Sequence, residues 1–322
     1  VNALLRKVSA QSLEDWLAPV ALINDEVSRL AITYSHPEWI VSAYFDLLRD
    51  FEEVRSLLEA NNTPAKPTFV TWPGRSEISE FHEWGAIKTT FSQYGFRADV
   101  TPSALEAVRH RRAGVQDEGS QLVASIFAQA ADDKSSWLDL CAGPGGKAAL
   151  LASIADQGDH RFVANEISQI RADLVKQVVG THEVWVGDAR EIATRGEGFD
   201  AILADVPCTG MGALRRRPEV RWRRSLSDLR ELGVLQREIS DAAISILNIG
   251  GVFGYATCSP HLAETSIAVA DILKKHPELE QIDIQPFMPL GLEGGVRDKS
   301  MALWTQRHNT DAMFLALFRK IS

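Results

Sequence analysis

The stretch Trp137-Leu138-Asp139-Leu140-Cys141-Ala142-Gly143-Pro144-Gly145-Gly146-Lys147 decides the fold. A short apolar run breaks into glycines and resumes as Ala148-Ala149-Leu150-Leu151-Ala152, which reads as strand, tight turn, helix. Gly143, Gly145 and Gly146 lack the β-carbons that would keep a ligand from the backbone. The unpaired N–H groups opening the next helix favour a carboxylate or phosphate, so a nucleotide-like cofactor is expected. Gly143-x-Gly145-x-x-Ala148 also satisfies the dinucleotide fingerprint, with Glu166 near the place of its ribose-binding acid. A phosphate-binding P-loop is excluded, because it needs glycine where Cys141 stands and Ser or Thr where Ala148 stands.

Downstream the chain alternates: strand 137–141, helix 147–155, strand 161–165, helix 168–179, strand 183–187, strand 199–204, helix 226–247, strand 251–257, helix 260–275. This pattern predicts an α/β fold with a doubly wound, parallel, Rossmann-like sheet, in which ligand groups sit at the carboxyl ends of the strands. Four groups meet that rule: Cys141 to Lys147, Glu166, Asp188, and Asp205-Val206-Pro207-Cys208. An acid at the second strand tip can hold ribose hydroxyls and one near the third can accept from an adenine amine, although any single one serves equally as a loop cap.

Upstream, 1–5, 13–30, 37–48 and 52–60 show helical spacing, and Pro67 to Trp72 reads as a strand. The expected division is a smaller α+β module over 1–113 and a catalytic domain over 114–322. His36, His82 and His110 are scattered, so no metal site is expected. Three cysteines, none before Cys141, cannot form a disulfide framework and point to a reducing cytoplasm. No apolar run is long enough to span a membrane. A net charge of −9 argues against non-specific nucleic-acid binding, so any RNA contact must rest on a local patch. One candidate is Arg215, Arg216, Arg217, Arg221, Arg223 and Arg224 around Trp222, neutralised nearby only by Glu219. A solvated loop reads the same way.

Cys258, in Thr257-Cys258-Ser259-Pro260, follows the fifth strand and so shares an edge with Cys208. Cys141 reads as a small buried hydrophobe; the other two lie between an apolar strand and a turn, where a thiol pKa can be lowered.

Asp139 to Lys147, Asp205-Val206-Pro207-Cys208, Arg215-Arg216-Arg217-Pro218 and Thr257-Cys258-Ser259 together resemble the motifs of S-adenosylmethionine-dependent RNA 5-methylcytosine methyltransferases. Within that class the chain most resembles the bacterial ribosomal RNA small-subunit methyltransferase B type, also called Sun or Fmu. Val1-Asn2-Ala3-Leu4-Leu5-Arg6, Ser35 to Trp39, Glu59 to Asn62 and Gln116-Asp117-Glu118 extend the resemblance over nearly the whole chain.

The resemblance implies a class I methyltransferase sheet and S-adenosylmethionine held by Cys141, Ala142, Gly143, Pro144, Gly145, Gly146, Lys147, Glu166, Asp188 and Asp205. It implies Cys258 as nucleophile, Cys208 in product release, and Asp205 on both cofactor and base, with Lys147 beside it. Unstacked or looped RNA is the expected partner, and a monomer the expected state. Two motifs depart: Asp311-Ala312-Met313-Phe314 replaces Asp-Gly-Phe-Phe, and Thr71 to Arg75 lacks an Arg-x-Asn. The family often carries a NusB-like domain before the stretch that here begins at Val1.

The competing readings explain less. An NAD dehydrogenase leaves both cysteine motifs without a role. A DNA cytosine methyltransferase makes Cys208 the nucleophile, and an amino-methylating enzyme calls for Asn/Asp-Pro-Pro-aromatic. Methylation of tRNA or another RNA, and a non-catalytic ribosome-assembly factor, remain open from sequence.

Overall fold

A computed structural model describes residues 1–322. The chain opens with α1 (Asn2–Val8), α2 (Leu13–Leu17), α3 (Glu26–Thr33), α4 (Glu38–Leu48) and α5 (Phe51–Asn62). The expected continuous helical stretch over 13–30 is broken. Pro19 starts a separate 3-10 turn, and the Asp25 carboxylate accepts the Ser28 N–H at 2.7 Å to cap α3.

Leu30, Ile40, Val41, Tyr44, Val54, Leu57 and Leu58 form a core that also takes in Met211, Leu214 and Trp304, so these helices are fastened to the later chain. The buried Arg221 reinforces the joint by donating to Asn61 O at 2.8 Å, Asn62 Oδ1 at 2.7 Å and Ser35 O at 3.3 Å. Arg221→Ala strands these acceptors, and urea unfolding should show a loss of about 3 kcal/mol.

Next come β1 (Thr68–Thr71), β2 (Ile87–Lys88), β3 (Gly95–Arg97), α6 (Glu106–Arg109) and β4 (Ala113–Val115). They make an antiparallel sheet in the order β2-β3-β1-β4, ending two residues past the expected boundary at 113. α7 (Glu118–Ala130) follows, capped by Asp117. It is buried against both units: Gln121 Nε2 donates to Phe69 O at 3.2 Å, and Glu118 Oε1 accepts the Ser92 N–H at 2.9 Å.

The second unit continues with β5 (Ser136–Asp139), α8 (Gly146–Gly158), β6 (Arg161–Glu166), α9 (Gln169–Lys176), β7 (Glu183–Val186) and β8 (Phe199–Asp205). After these come α10 (Val220–Arg223), α11 (Leu226–Ile246), β9 (Leu247–Thr257) and α12 (Ser266–Lys275). The chain ends with β10 (Leu279–Ile282), β11 (Val296–Arg297), β12 (Ser300–Ala302), α13 (Thr305–His308) and β13 (Phe314–Lys320).

Strands β9-β8-β5-β6-β7 are parallel, in the doubly wound manner expected. Beyond these expected strands the sheet carries an antiparallel edge. β13 runs antiparallel to β9, with Phe314 opposite Thr257, and β10, β11 and β12 extend this antiparallel edge. Short connections after α12 suffice there, since antiparallel neighbours need no helical crossover.

Neighbouring residues on β5 serve opposite layers. Trp137 belongs to one core layer with Phe127 of α7 and Leu151 of α8, while Leu138 belongs to the other with Ile239 of α11 and Ile272 of α12. With both faces covered, only the strand ends remain for chemistry. No helix is long and apolar enough to cross a membrane.

Candidate active site

The glycine turn is hung from its neighbours: Leu140 N–H donates to Leu203 O at 2.8 Å and Ala142 N–H to Asn165 O at 2.9 Å. Gly145 has φ +117°, a conformation that disfavours any side chain. A β-carbon at Gly143 would lie 2.2 Å from Glu166 Oε2, the atom that accepts the Gly143 N–H at 3.0 Å. The other oxygen, Glu166 Oε1, accepts the Ser168 N–H at 2.8 Å and meets Arg171 at 2.6 Å. Glu166 therefore fixes the turn from the tip of β6. Asp188, after β7, caps the 3-10 turn Ala189–Arg195 and pairs with Arg190 at 2.6 Å, which holds its carboxyl below the usual range. Cys141, half-buried, packs against the Leu138 layer, and burial pushes its thiol up.

Behind the turn lies Asp139, 1% exposed, whose carboxylate meets no side-chain donor and is faced by the Cys141 backbone N–H. Burial, and secondarily Asp205, push its pKa up to about 7. Lys147, on the first turn of α8, reaches Asp205 Oδ2 at 2.7 Å. Burial works against its charge, but Asp205 outweighs this and raises the ammonium pKa.

The loops after β8 and β9 bring Cys208 Sγ and Cys258 Sγ to 3.3 Å. Their backbones are tied by Val206 N–H to Ala256 O at 3.0 Å and Gly212 N–H to Cys258 O at 2.9 Å. Gly212 is required at that crossing, since a β-carbon would stand 2.0 Å from Ala312 O. The hydrogen bond from Cys208 lowers the Cys258 thiol pKa against burial, and the same contact followed by burial raises that of Cys208. Asp205 acts on both sulfurs against ionisation, while Lys147 favours it at Cys258 and Glu264 opposes it at Cys208, so the directions favour Cys258 as the thiolate.

Sequence reasoning missed the polar residues between these loops, namely Thr209, Gln236, Tyr255, Ser259 and Glu264, all buried. Gln236 sits on a helix face whose apolar spacing concealed it, and Glu264 reads as an ordinary acid ahead of a helix.

The arginine patch is divided, which corrects the expectation that Glu219 alone neutralises it. Arg215 has a largely covered side chain that donates to Asp117 Oδ2 at 2.7 Å and Asp311 Oδ1 at 3.3 Å. Arg216 is half-exposed and donates to Asp311 Oδ2 at 2.8 Å. Arg221 holds the helical unit, and Arg224 lies 3.5 Å from Asp228. Arg217, Trp222 and Arg223 stay exposed, Trp222 by 65%.

Residues 126–319 match the family described as 16S rRNA methyltransferase RsmB/F. Putative methyltransferase Rv1407 of Mycobacterium tuberculosis is 41% identical over 334 residues, covering 100% of this chain and 72% of that protein. Ribosomal RNA small subunit methyltransferase B of Vibrio cholerae is 31% identical over 308 residues, 90% of this chain and 67% of that one. The crystal structure of NSun6 from Pyrococcus horikoshii with SFG superposes with a TM-score of 0.75 at 17% identity, over 89% of this chain and 98% of that one, a likeness of fold.

Membership of a methyltransferase family supports S-adenosylmethionine as the cofactor, and the turn fits it. The bare backbone at Gly143 and Gly145 admits a ligand, and the Asp139 carboxylate, which no side chain satisfies, suits a donor such as its ammonium. Identity along the full length and a family match spanning every strand end from Asp139 to Cys258 lead to one conclusion: the chain belongs to the 16S rRNA methyltransferase RsmB/F family.

Proposed function

We propose that the protein methylates carbon 5 of a cytosine in small-subunit ribosomal RNA through a covalent adduct on Cys258. The observation that carries this reading is the 3.3 Å approach of two cysteine sulfurs at the strand ends, beside the Lys147–Asp205 pair. Glu166, Asp188, Asp139 and the segment Cys141 to Lys147 are assigned to the cofactor. When bound, S-adenosylmethionine supplies an electrophilic methyl group.

Carbon 5 of cytosine is a weak nucleophile, so the ring must first be activated. The Cys258 thiolate adds to carbon 6, and the electron pair of the C5–C6 π bond moves into the ring as an enamine anion. Asp205, held by Lys147, orients the base edge, and the ammonium offsets the charge that develops there. After carbon 5 has gained its methyl group, its proton passes to water. The C5–H electron pair restores the double bond, and the C6–S bond breaks with sulfur departing as thiolate. The Cys208 S–H then donates to that departing sulfur, as the resting contact supports.

The direct test is methyl transfer from labelled S-adenosylmethionine to ribosomal RNA from a strain lacking the enzyme, with bisulfite mapping of the product. A new 5-methylcytosine is expected; RNA binding without transfer would favour the assembly-factor reading.

Exposed Arg217, Trp222 and Arg223, with half-exposed Arg216, are assigned to RNA docking. Replacing both Arg217 and Arg223 by Ala should weaken RNA binding and reduce the slope of log K against log salt by about 0.7 per arginine. Fluorescence anisotropy titrations at several salt concentrations would measure this. An unchanged slope would move the docking surface elsewhere.

A further inference from the structure

Glu264 is fully buried, yet the three donors to its carboxylate are all neutral groups. Oε1 accepts the Thr209 N–H at 2.8 Å and Gln236 Nε2 at 3.0 Å, while Oε2 accepts the Thr209 hydroxyl at 2.5 Å. With its proton committed to Glu264, Thr209 Oγ1 is left to accept from the Ser259 hydroxyl, 3.1 Å away. The chain of donation thus runs from the residue after Cys258, through the residue after Cys208, to Glu264. Gln236 Nε2 also reaches Pro207 O at 2.9 Å, on the other side of Cys208. Tyr255 O–H, on β9, bonds both Gln236 Oε1 at 3.2 Å and Glu264 O at 3.1 Å. A buried carboxylate without a cation is costly to keep. Here it gathers Pro207, Thr209 and Ser259, the residues that flank the two sulfurs.

We propose that Glu264 is a positioning residue that sets the reach between the two cysteines: its carboxylate orients Thr209, and through it Ser259, so that the Cys208 S–H stays in bonding distance of Cys258 Sγ. The inference rests on Cys258 and Cys208 being the reactive pair. Glutamine in place of Glu264 sets its amide NH2 either against the Thr209 N–H, which breaks that bond, or against the Thr209 hydroxyl, which reverses it. The Cys208 S–H then drifts from its partner, and Cys258 loses the donor that stabilises its thiolate both at rest and on departure.

The first arm of the test needs neither RNA nor cofactor. Iodoacetamide alkylation of Cys258 in the full chain is followed against pH by peptide mass spectrometry. Cys208, Asp205, Lys147, Asp311 and Arg216 all act on Cys258, and only Cys208 is displaced by the substitutions at 264 and 209. Cys208→Ala should raise the alkylation midpoint by about one unit, since it removes the sulfur's hydrogen bond. Glu264→Gln and Thr209→Val should raise it in the same direction, and Thr209→Ser should restore it.

With ordinary RNA, Glu264→Gln should lengthen the life of the protein–RNA adduct at least ten-fold while the RNA KM stays put. A role confined to stability would lower the melting temperature without moving the midpoint. If Glu264→Gln does not fold, Thr209→Val decides alone. A midpoint shifted by Cys208→Ala but unmoved by substitutions at 264 and 209 overturns the proposal. A wild type that forms no adduct on RNA bearing 5-fluorocytosine overturns the methyl-transfer reading instead, leaving the alkylation result to stand.

Discussion

Cys258→Ser is expected to abolish methyl transfer, with a loss of at least about 10³-fold, and to end covalent capture of RNA containing 5-fluorocytosine. The argument turns on ionisation. The Cys258 thiol is held below its ordinary pKa by the Cys208 contact at 3.3 Å, with Lys147 also nearby. A serine hydroxyl there has no adjacent general base to ionise it, because Asp205 is engaged with Lys147 at 2.7 Å. Fluorine at carbon 5 cannot leave as a proton does, so an enzyme that adds through sulfur stalls as a stable adduct on a denaturing gel. Cys208→Ala should give the complementary result: it should still capture the fluorinated RNA and should also accumulate adduct on ordinary RNA, because departure of the Cys258 sulfur has lost its donor. If the two variants exchange these behaviours, Cys208 is the nucleophile and the Pro-Cys chemistry of DNA cytosine enzymes is the better description.

The parts of this site legible in the sequence are those encoded by a few adjacent residues. An apolar run followed by Gly143-Pro144-Gly145-Gly146 specifies its own strand and turn, and the parallel order then carries Glu166, Asp188, Asp205, Cys208 and Cys258 to one edge. The arginine patch shows what local reading misses: Arg215 and Arg216 find their acids at Asp117 and Asp311, each more than ninety residues away. The antiparallel edge was hidden for another reason. β10, β11 and β12 have two to four residues each, too few for alternation to stand out, and β13 is apolar on both faces from Phe314 to Phe318. Glu264 and Gln236 escaped notice because a buried polar network is defined by partners that only the fold brings together.

Asp139→Asn is expected to stabilise the cofactor-free protein at pH 8 by up to about 4 kcal/mol and to have little effect at pH 4. The sign follows from the direction of the shift. An unfolded chain releases the Asp139 proton near pH 3.9, whereas burial and Asp205 hold it in the folded chain up to about 7. Between those values the folded state binds the extra proton, so raising the pH draws the equilibrium towards unfolding. Above about 7 both states are ionised, and the folded state bears the cost of a buried carboxylate that Lys147 and the Cys141 N–H offset only in part. Asparagine keeps the shape and cannot ionise, so its advantage should grow through that window and then level off, as urea titrations at a series of pH values would show. The same substitution should weaken S-adenosylmethionine binding at pH 8, because the ligand's ammonium loses a charged partner. The thermal shift on adding cofactor should therefore be smaller in the variant than in the wild type. Equal stability of the two proteins at pH 4 and pH 8 would mean that Asp139 is already solvated or paired. A stabilised variant with undiminished cofactor binding would leave the carboxylate without a ligand role.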